Sequence, residues 1–253
     1  MVECDNIQRA TPEEPSLEEP SPAKLSFEKL SVAVLVDNVQ QRVVVRDLSV
    51  TIPCGAVCAL IGPNGSGKSS LVNACMGHPW YTITAGTMRL QGKILHDMTA
   101  TERARLGMML ISQQPVAIPG LAIATLLAES YRAIHGSLPA EAIWQQELAT
   151  ACRLVGLPDD VLERHVGVEF SGGQKKRVEL LQLLVLRPTL VLLDELDSGL
   201  DQEGVALLGN ALRQYRQHYP ATTMVVVSHH HQLFSYIEPT MTIHLVDGAV
   251  TSL

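Results

Sequence analysis

Apolar residues in this chain come in short blocks separated by glycine, proline and acidic turns, the pattern of strands alternating with helices. Residues 25–36 and 43–52 read as strands joined by a turn at Asp37-Asn38, and the apolar run from Ala56 to Ile61 reads as a buried strand. A helix is predicted over 69–76, a short helix over 99–107 and a strand over 108–112. From 121 to 164 the spacing is helical, with Leu126, Leu127, Ile134, Ile143, Leu148, Cys152 and Leu154 as expected core contacts. A further helix is predicted over 172–186. Residues 189–193 form a continuous apolar run, as a central parallel strand buried on both faces requires. A β-branched strand over 222–228 and another over 241–246 follow, and Asp247-Gly248 signals a closing hairpin. The order is that of one α/β domain over 25–253, without internal repeats.

Chemistry enters directly after the third strand. Gly62-Pro63-Asn64-Gly65-Ser66-Gly67-Lys68-Ser69 has the spacing of a phosphate-binding loop, and strand, glycine loop, helix is the context that spacing needs. Glycines let backbone N–H groups approach phosphate oxygens, and the helix N-terminus adds orphan donors beside Ser69 and Ser70. Lys68 is expected on the β and γ phosphates of a nucleotide, and the Ser69 hydroxyl on Mg²⁺. The apolar run 189–193 ends in Asp194-Glu195, at the strand end where open α/β sheets bind ligands. Asp194 is expected to hold Mg²⁺, and Glu195 to accept a proton from the attacking water or to orient it.

A third motif, Phe170-Ser171-Gly172-Gly173-Gln174-Lys175-Lys176-Arg177, resembles the signature of ABC-type ATPases. The resemblance implies a P-loop ABC-type ATPase domain, with a helical subdomain (about 121–186) inserted between the Gln113 loop and the signature. It implies ATP-dependent self-association, in which Ser171, Gly172, Gly173, Gln174 and Asp201 of one copy close the ATP site of another. Gln113 matches a residue that touches Mg²⁺, and His229 one that contacts the γ-phosphate. Several stretches narrow the likeness: the leading Phe170, the basic Lys175-Lys176-Arg177, Asp197-Ser198-Gly199-Leu200-Asp201, Pro115 to Gly120, Leu157-Pro158-Asp159 and Tyr236-Ile237-Glu238-Pro239. Together these resemble the SufC-like ATPases of iron–sulfur cluster assembly, over the chain from about Leu25 onward. That likeness implies a cytoplasmic protein with SufB- and SufD-type scaffold partners; the ATPase subunit of a membrane transporter is the alternative.

The chain departs from the SufC-like pattern in places. Gln174 replaces glutamate, Leu196 a small polar residue and Gln114 an aromatic one, while residues 121–125 lack the expected polar and aromatic residues. The chain ends at Leu253, where relatives are expected to continue. Residues 36–44 hold no aromatic residue to stack an adenine.

Composition adds exclusions. Hydrophobic residues make up 46% of the 253, yet no uninterrupted apolar stretch reaches the ~18–20 residues of a membrane span, so direct membrane insertion is not expected. Six acidic residues (Glu3, Asp5, Glu13, Glu14, Glu18, Glu19) oppose Arg9 and Lys24 in residues 1–24, so four of the seven net negative charges sit in the tail. The acidic remainder argues against a nucleic-acid surface. The tail, rich in proline and glutamate, is expected to be disordered, either a solvated leader or a docking segment. Five scattered cysteines suit a reducing compartment; Cys58 reads as core and Cys54 as a turn residue rather than cluster ligands. His229-His230-His231 leaves a strand with its side chains diverging, which favours a phosphate role for His229 over a metal site.

Overall fold

The computed structural model describes residues 24–36, 40–113, 116–168 and 170–252, so the acidic tail, the Asp37-Asn38 turn and Gln114 lie outside the described residues. In chain order the elements begin with β1 (Leu25–Val36), β2 (Gln40–Ile52), β3 (Val57–Ile61), α1 (Lys68–Met76), β4 (Tyr81–Leu90) and β5 (Lys93–Ile94). Next come α2 (Ala100–Arg105), β6 (Met108–Ile111), β7 (Ile118–Ala122), α3 (Ile123–His135) and α4 (Glu141–Leu154). After a 3-10 turn at Asp159–Glu163 follow β8 (His165–Val166), α5 (Gly172–Leu186), β9 (Leu190–Asp194), α6 (Gln202–His218), β10 (Thr223–Val227), α7 (His231–Ile237), β11 (Met241–Val246) and β12 (Ala249–Ser252).

Two main sheets organise these elements. An antiparallel sheet runs β2-β1-β4-β5, and a six-stranded sheet runs β12-β11-β3-β10-β9-β6 with β12 as its antiparallel edge. The other five strands of the second sheet are mutually parallel, with Val225 level with both Cys58 and Leu192. Their side chains alternate between two cores. Leu190, Leu192, Val225 and Val227 pack toward α1 and the antiparallel sheet, and Val191, Leu193, Met224 and Val226 toward the helices on the far side. Burial on both faces is why β9 up to Leu193 and β10 from Met224 onward are apolar without interruption.

Asp247 and Gly248 both have positive φ, 48° and 81°, as the two central residues of a tight hairpin turn require. Cys58 is buried on β3, its thiol pushed up to about 12 by burial, and Cys54 is exposed in the turn before it. Two expectations are corrected. Leu121 and Ala122 belong to strand β7, paired with β8, rather than to a helix. Ile143 and Leu154 are 49% and 48% exposed: the buried stripe of α4 is Trp144, Leu148, Ala151 and Cys152, and both residues lie on its flank. β4 and α6 are elements that the sequence reading did not identify.

Arg103 secures the end of α1. It is 3% exposed, and its Nη1 donates to the carbonyls of Ala74 and Cys75, both at 2.7 Å. Nη2 donates to Leu95 O and Nε to Met98 O. A cation at a helix C-terminus is favourably placed against the dipole, and here it also satisfies carbonyls the helix leaves open. Arg103→Met leaves four carbonyls, three of them buried, without this donor and is expected to lower stability by about 3 kcal/mol in urea unfolding; a loss under ~0.5 kcal/mol would show that the cage is dispensable.

Candidate functional site

The parallel strands β3, β6, β9 and β10 end at one edge of the sheet, and a functional segment leaves each. From β3 the chain enters the glycine loop. Gly62 has φ 152°, and a Cβ there would lie 2.0 Å from Leu245 O; at Gly67, φ 100°, a Cβ would meet Val44 O at 2.4 Å. These two positions admit no side chain, so the loop packs closely on the strands beneath it. Lys68 is 4% exposed and folds back, its Nζ donating to Gly62 O and Pro63 O, both at 2.9 Å. Burial lowers its pKa, and the negative charges of Glu195 and Asp194 oppose that shift. Ser66 Oγ is buried without a hydrogen-bond partner, a donor held ready inside the loop.

Asp194 ends β9 and is 4% exposed. Burial raises its pKa, while the hydrogen bond from Ser69 Oγ to Oδ1 at 2.9 Å and the Lys68 charge pull it down. A hydroxyl and a carboxylate oxygen paired beside a lysine suit a divalent cation between protein and phosphate. Glu195 follows with φ 51°, a left-handed conformation uncommon outside glycine, and its N–H donates to Val227 O on β10. The two carboxylate oxygens have separate partners: Gln113 Nε2 donates to Oε2 at 2.9 Å, and His229 Nε2 lies 3.2 Å from Oε1. Gln113 thus turns its N–H end to Glu195 and leaves its amide oxygen for another contact. Among the described residues no group of three or more His, Cys, Asp and Glu side chains is placed to hold a metal.

The signature residues lie apart, at the start of α5. Ser171 Oγ accepts the Gln174 N–H and Gln174 Oε1 accepts the Ser171 N–H, so Gln174 completes the capping box as well as glutamate would. Ser171, Gly172 and Gly173 are exposed, and added Cβ atoms on the two glycines would meet nothing within 4 Å. Asp201 caps α6 through the Gly204 N–H. Between the two helix starts lies a cavity of about 260 Å³ lined by Gly173, Arg177, Asp201 and Gly204. The site residues therefore form two groups, one around Lys68, Gln113, Asp194, Glu195 and His229, the other around Ser171, Gly172, Gly173, Gln174 and Asp201.

Sequence reasoning missed two supports. Asp197, 1% exposed, accepts a hydrogen bond from Ser228 Oγ, and Ser228 Oγ accepts the His230 N–H. This pins the segment after Glu195 to the segment carrying His229. Lys176 donates from Nζ to Gln113 O at 2.9 Å and lies 3.8 Å from Glu179 Oε2, both side chains 9% exposed. The sole sequence signal for that pair is their i,i+3 spacing within an apolar helix.

Residues 45–198 match the ABC transporter family. The chain is similar to the probable ATP-dependent transporter SufC of Escherichia coli strain K12, 34% identical over 225 residues that span 87% of this chain and 90% of that one. It is also 34% identical, over 218 residues, to a probable ABC transporter ATP-binding protein of Streptococcus pyogenes serotype M3, covering 84% of this chain and 83% of that one. Among solved structures, the dimeric post-hydrolysis state of an ATP-binding cassette bound to ADP and Pi superposes with a TM-score of 0.77 over 90% of this chain and 97% of that chain. Its 18% identity makes that a likeness of fold.

Burial pushes the Glu179 carboxyl from its ordinary 4.5 up to about 7, against the opposing charge of Lys176. A carboxyl raised on folding contributes its full stability below about 4.5 and loses it as the pH climbs through about 7. Relative to Glu179→Gln, the wild-type unfolding free energy is therefore expected to fall across that window. A wild-type-to-variant difference that stayed flat with pH would contradict the assignment.

Proposed function

The chain belongs to the ABC transporter family and is an ATP-hydrolysing cassette, and we propose that it powers an iron–sulfur cluster assembly scaffold from ATP sites shared between two copies. The observation that carries the shared site is the separation of its two residue groups. The group around Lys68 holds the phosphate and water-activating residues, while Ser171, Gly172 and Gly173 face outward at an exposed helix start. A helix N-terminus with open glycines suits an anionic γ-phosphate presented by another chain. The assembly role is supported by the 34% identity to a SufC protein over 87% of the chain; on this reading its partners are SufB- and SufD-type proteins in the cytoplasm.

In this reading the loop N–H groups and Ser66 Oγ receive the phosphates, and Lys68 exchanges the carbonyls of Gly62 and Pro63 for β and γ oxygens. Ser69, Asp194 and the amide oxygen of Gln113 are the residues that would hold Mg²⁺, which when bound would neutralise phosphate charge. Glu195, fixed between Gln113 and His229, takes the proton of the attacking water or orients it. Ser171, Gly172, Gly173 and Gln174 of the second copy, with its Asp201, close over the same nucleotide. Because ATP touches both copies only when they are closed, it binds that state better, and hydrolysis releases the bias.

Glu195→Gln is expected to cut turnover by about 10²–10⁴-fold and to accumulate an ATP-bound dimer in light scattering. Lys68→Ala is expected to lose tight nucleotide binding. Wild-type turnover by Glu195→Gln at saturating Mg-ATP would remove Glu195 from the chemistry. Capture of the tagged protein from its own cells in mild detergent separates the partner readings. Soluble scaffold proteins carrying iron and labile sulfide support cluster assembly. An integral membrane protein with several spans would replace that reading with a transporter motor.

A further inference from the structure

The antiparallel sheet is the basic part of an otherwise acidic chain. Its described residues, with Lys24 just before β1, hold six cations (Lys24, Lys29, Arg42, Arg46, Arg89, Lys93) against two anions, Glu28 and Asp47. The remaining residues from 24 onward carry six net negative charges, and residues 1–23 a further five. Five of the six cations are exposed and Arg89 is half-buried; among the described residues none of them stands in an ion pair. They are spaced along the sheet. Arg89 lies opposite Ser26, and Lys93 opposite Leu90, which is itself opposite Leu25. Lys29 follows on β1, Arg46 is next to Val45 opposite Val32, and Arg42 lies opposite Val34, ~33 Å from Lys24 at ~3.3 Å per residue. The acidic segment leaves from Lys24. Glu18 and Glu19 reach up to ~20 Å from it, and Glu13 and Glu14 up to ~36 Å, which matches the span of the cations. Pro12, Pro15, Pro20 and Pro22 lack the N–H that a strand needs, so the segment is suited to bind through its carboxylates and not to extend the sheet at β5.

We propose that residues 1–23 dock on the antiparallel sheet of their own chain, carboxylates against these cations, and so shield the nucleotide site beside it. Single exposed ion pairs are weak, but a tethered segment is present at an effective concentration of about millimolar, so several pairs together hold it. The shielding follows from the position of β2. A Cβ on Gly67 of the glycine loop would meet Val44 O, the Arg46 N–H donates to Gly248 O, and the Gly248 N–H donates to Ser66 O. Cations beside that loop attract an anionic nucleotide, and a segment with five net negative charges over them weakens the attraction. The shielding rests on the nucleotide-site reading of the loop; the docking does not.

The test is carbodiimide crosslinking of the full chain, which joins a carboxylate to an amine only on contact, with the linked peptides located by mass spectrometry. At ~10 mM salt, where charges are felt over ~30 Å, links are expected from Glu13, Glu14, Glu18 or Glu19 to Lys29 or Lys93. At ~1 M salt, where that range is ~3 Å, they are expected to vanish. Arg46→Glu combined with Arg89→Glu leaves both lysines in place and is expected to cut the yield about tenfold at an unchanged melting temperature. Mixing isotope-labelled and unlabelled protein assigns each link to one chain or to two. The docking would be overturned by an absence of these links, by links chiefly to Lys68 or Lys175, by links between two copies, or by a yield that the charge reversals leave unmoved. Replacing the four glutamates by glutamine is expected to speed association of a fluorescent ATP analogue by about 2–10-fold at low salt and to change nothing at high salt. An unchanged rate at low salt would overturn the shielding. If the wild-type chain bound no analogue at all, the nucleotide-site reading would fail, and the crosslinks would still decide the docking.

Discussion

Burial of the six-stranded sheet on both faces is the constraint from which the site follows. With α1 and the antiparallel sheet on one side and the helical layer on the other, β9 carries no polar side chain before Asp194 and β10 none after Thr223 at its start. Polar chemistry must wait for the strand ends, and because β3, β6, β9 and β10 are parallel those ends share one edge. The glycine loop, Gln113, Asp194 with Glu195, and His229 are thus collected by topology before any of them makes a specific contact. The contacts then refine the placement: Ser69 to Asp194, Gln113 and His229 to Glu195, Ser228 to Asp197.

The same edge carries the features that a fold selected for stability alone would avoid. Gly62 and Gly67 press their backbones against Leu245 O and Val44 O, Glu195 holds a left-handed φ, and Ser66 Oγ is buried unpaired. Lys68, Asp194, Lys176 and Glu179 are charged groups withdrawn from water, and burial is the leading cause of the shifts in Lys68, Asp194 and Glu179. Each of these costs stability that the two apolar cores offset. Low exposure also sharpens the fields acting on anything that enters, as a site for an anionic nucleotide needs.

What the sequence revealed and what it hid divide along physical lines. The turn of the glycine loop was legible because its spacing is imposed locally, by a backbone that must turn and approach at Gly62 and Gly67. The central strands were legible because double-sided burial leaves uninterrupted apolar runs, and the last hairpin because Asp247 and Gly248 suit positive φ. The strand β4 was not, because its pairing with β1 is long-range and carries register shifts between Glu28 and Val32. Ile143 and Leu154 were placed inside by helical spacing, but a period fixes a face and not what packs on it. Lys176 was hidden most deeply. A lysine beside Lys175 and Arg177 reads as solvated charge, and its partner is a main-chain oxygen far away in the chain.

The central claim is that each ATP site takes residues from two copies, and complementation between two crippled chains tests it most directly. On the proposed reading Glu195→Gln would lose its own water activation but keep its Ser171 face, and Ser171→Ala would keep Glu195 but lose the hydroxyl offered to its partner. A shared site predicts that the two variants, mixed before ATP is added, turn over faster than the average of the two measured separately, because the mixed dimer rebuilds one intact site. A mixture that never exceeds that average would place the whole site within one chain and contradict the account.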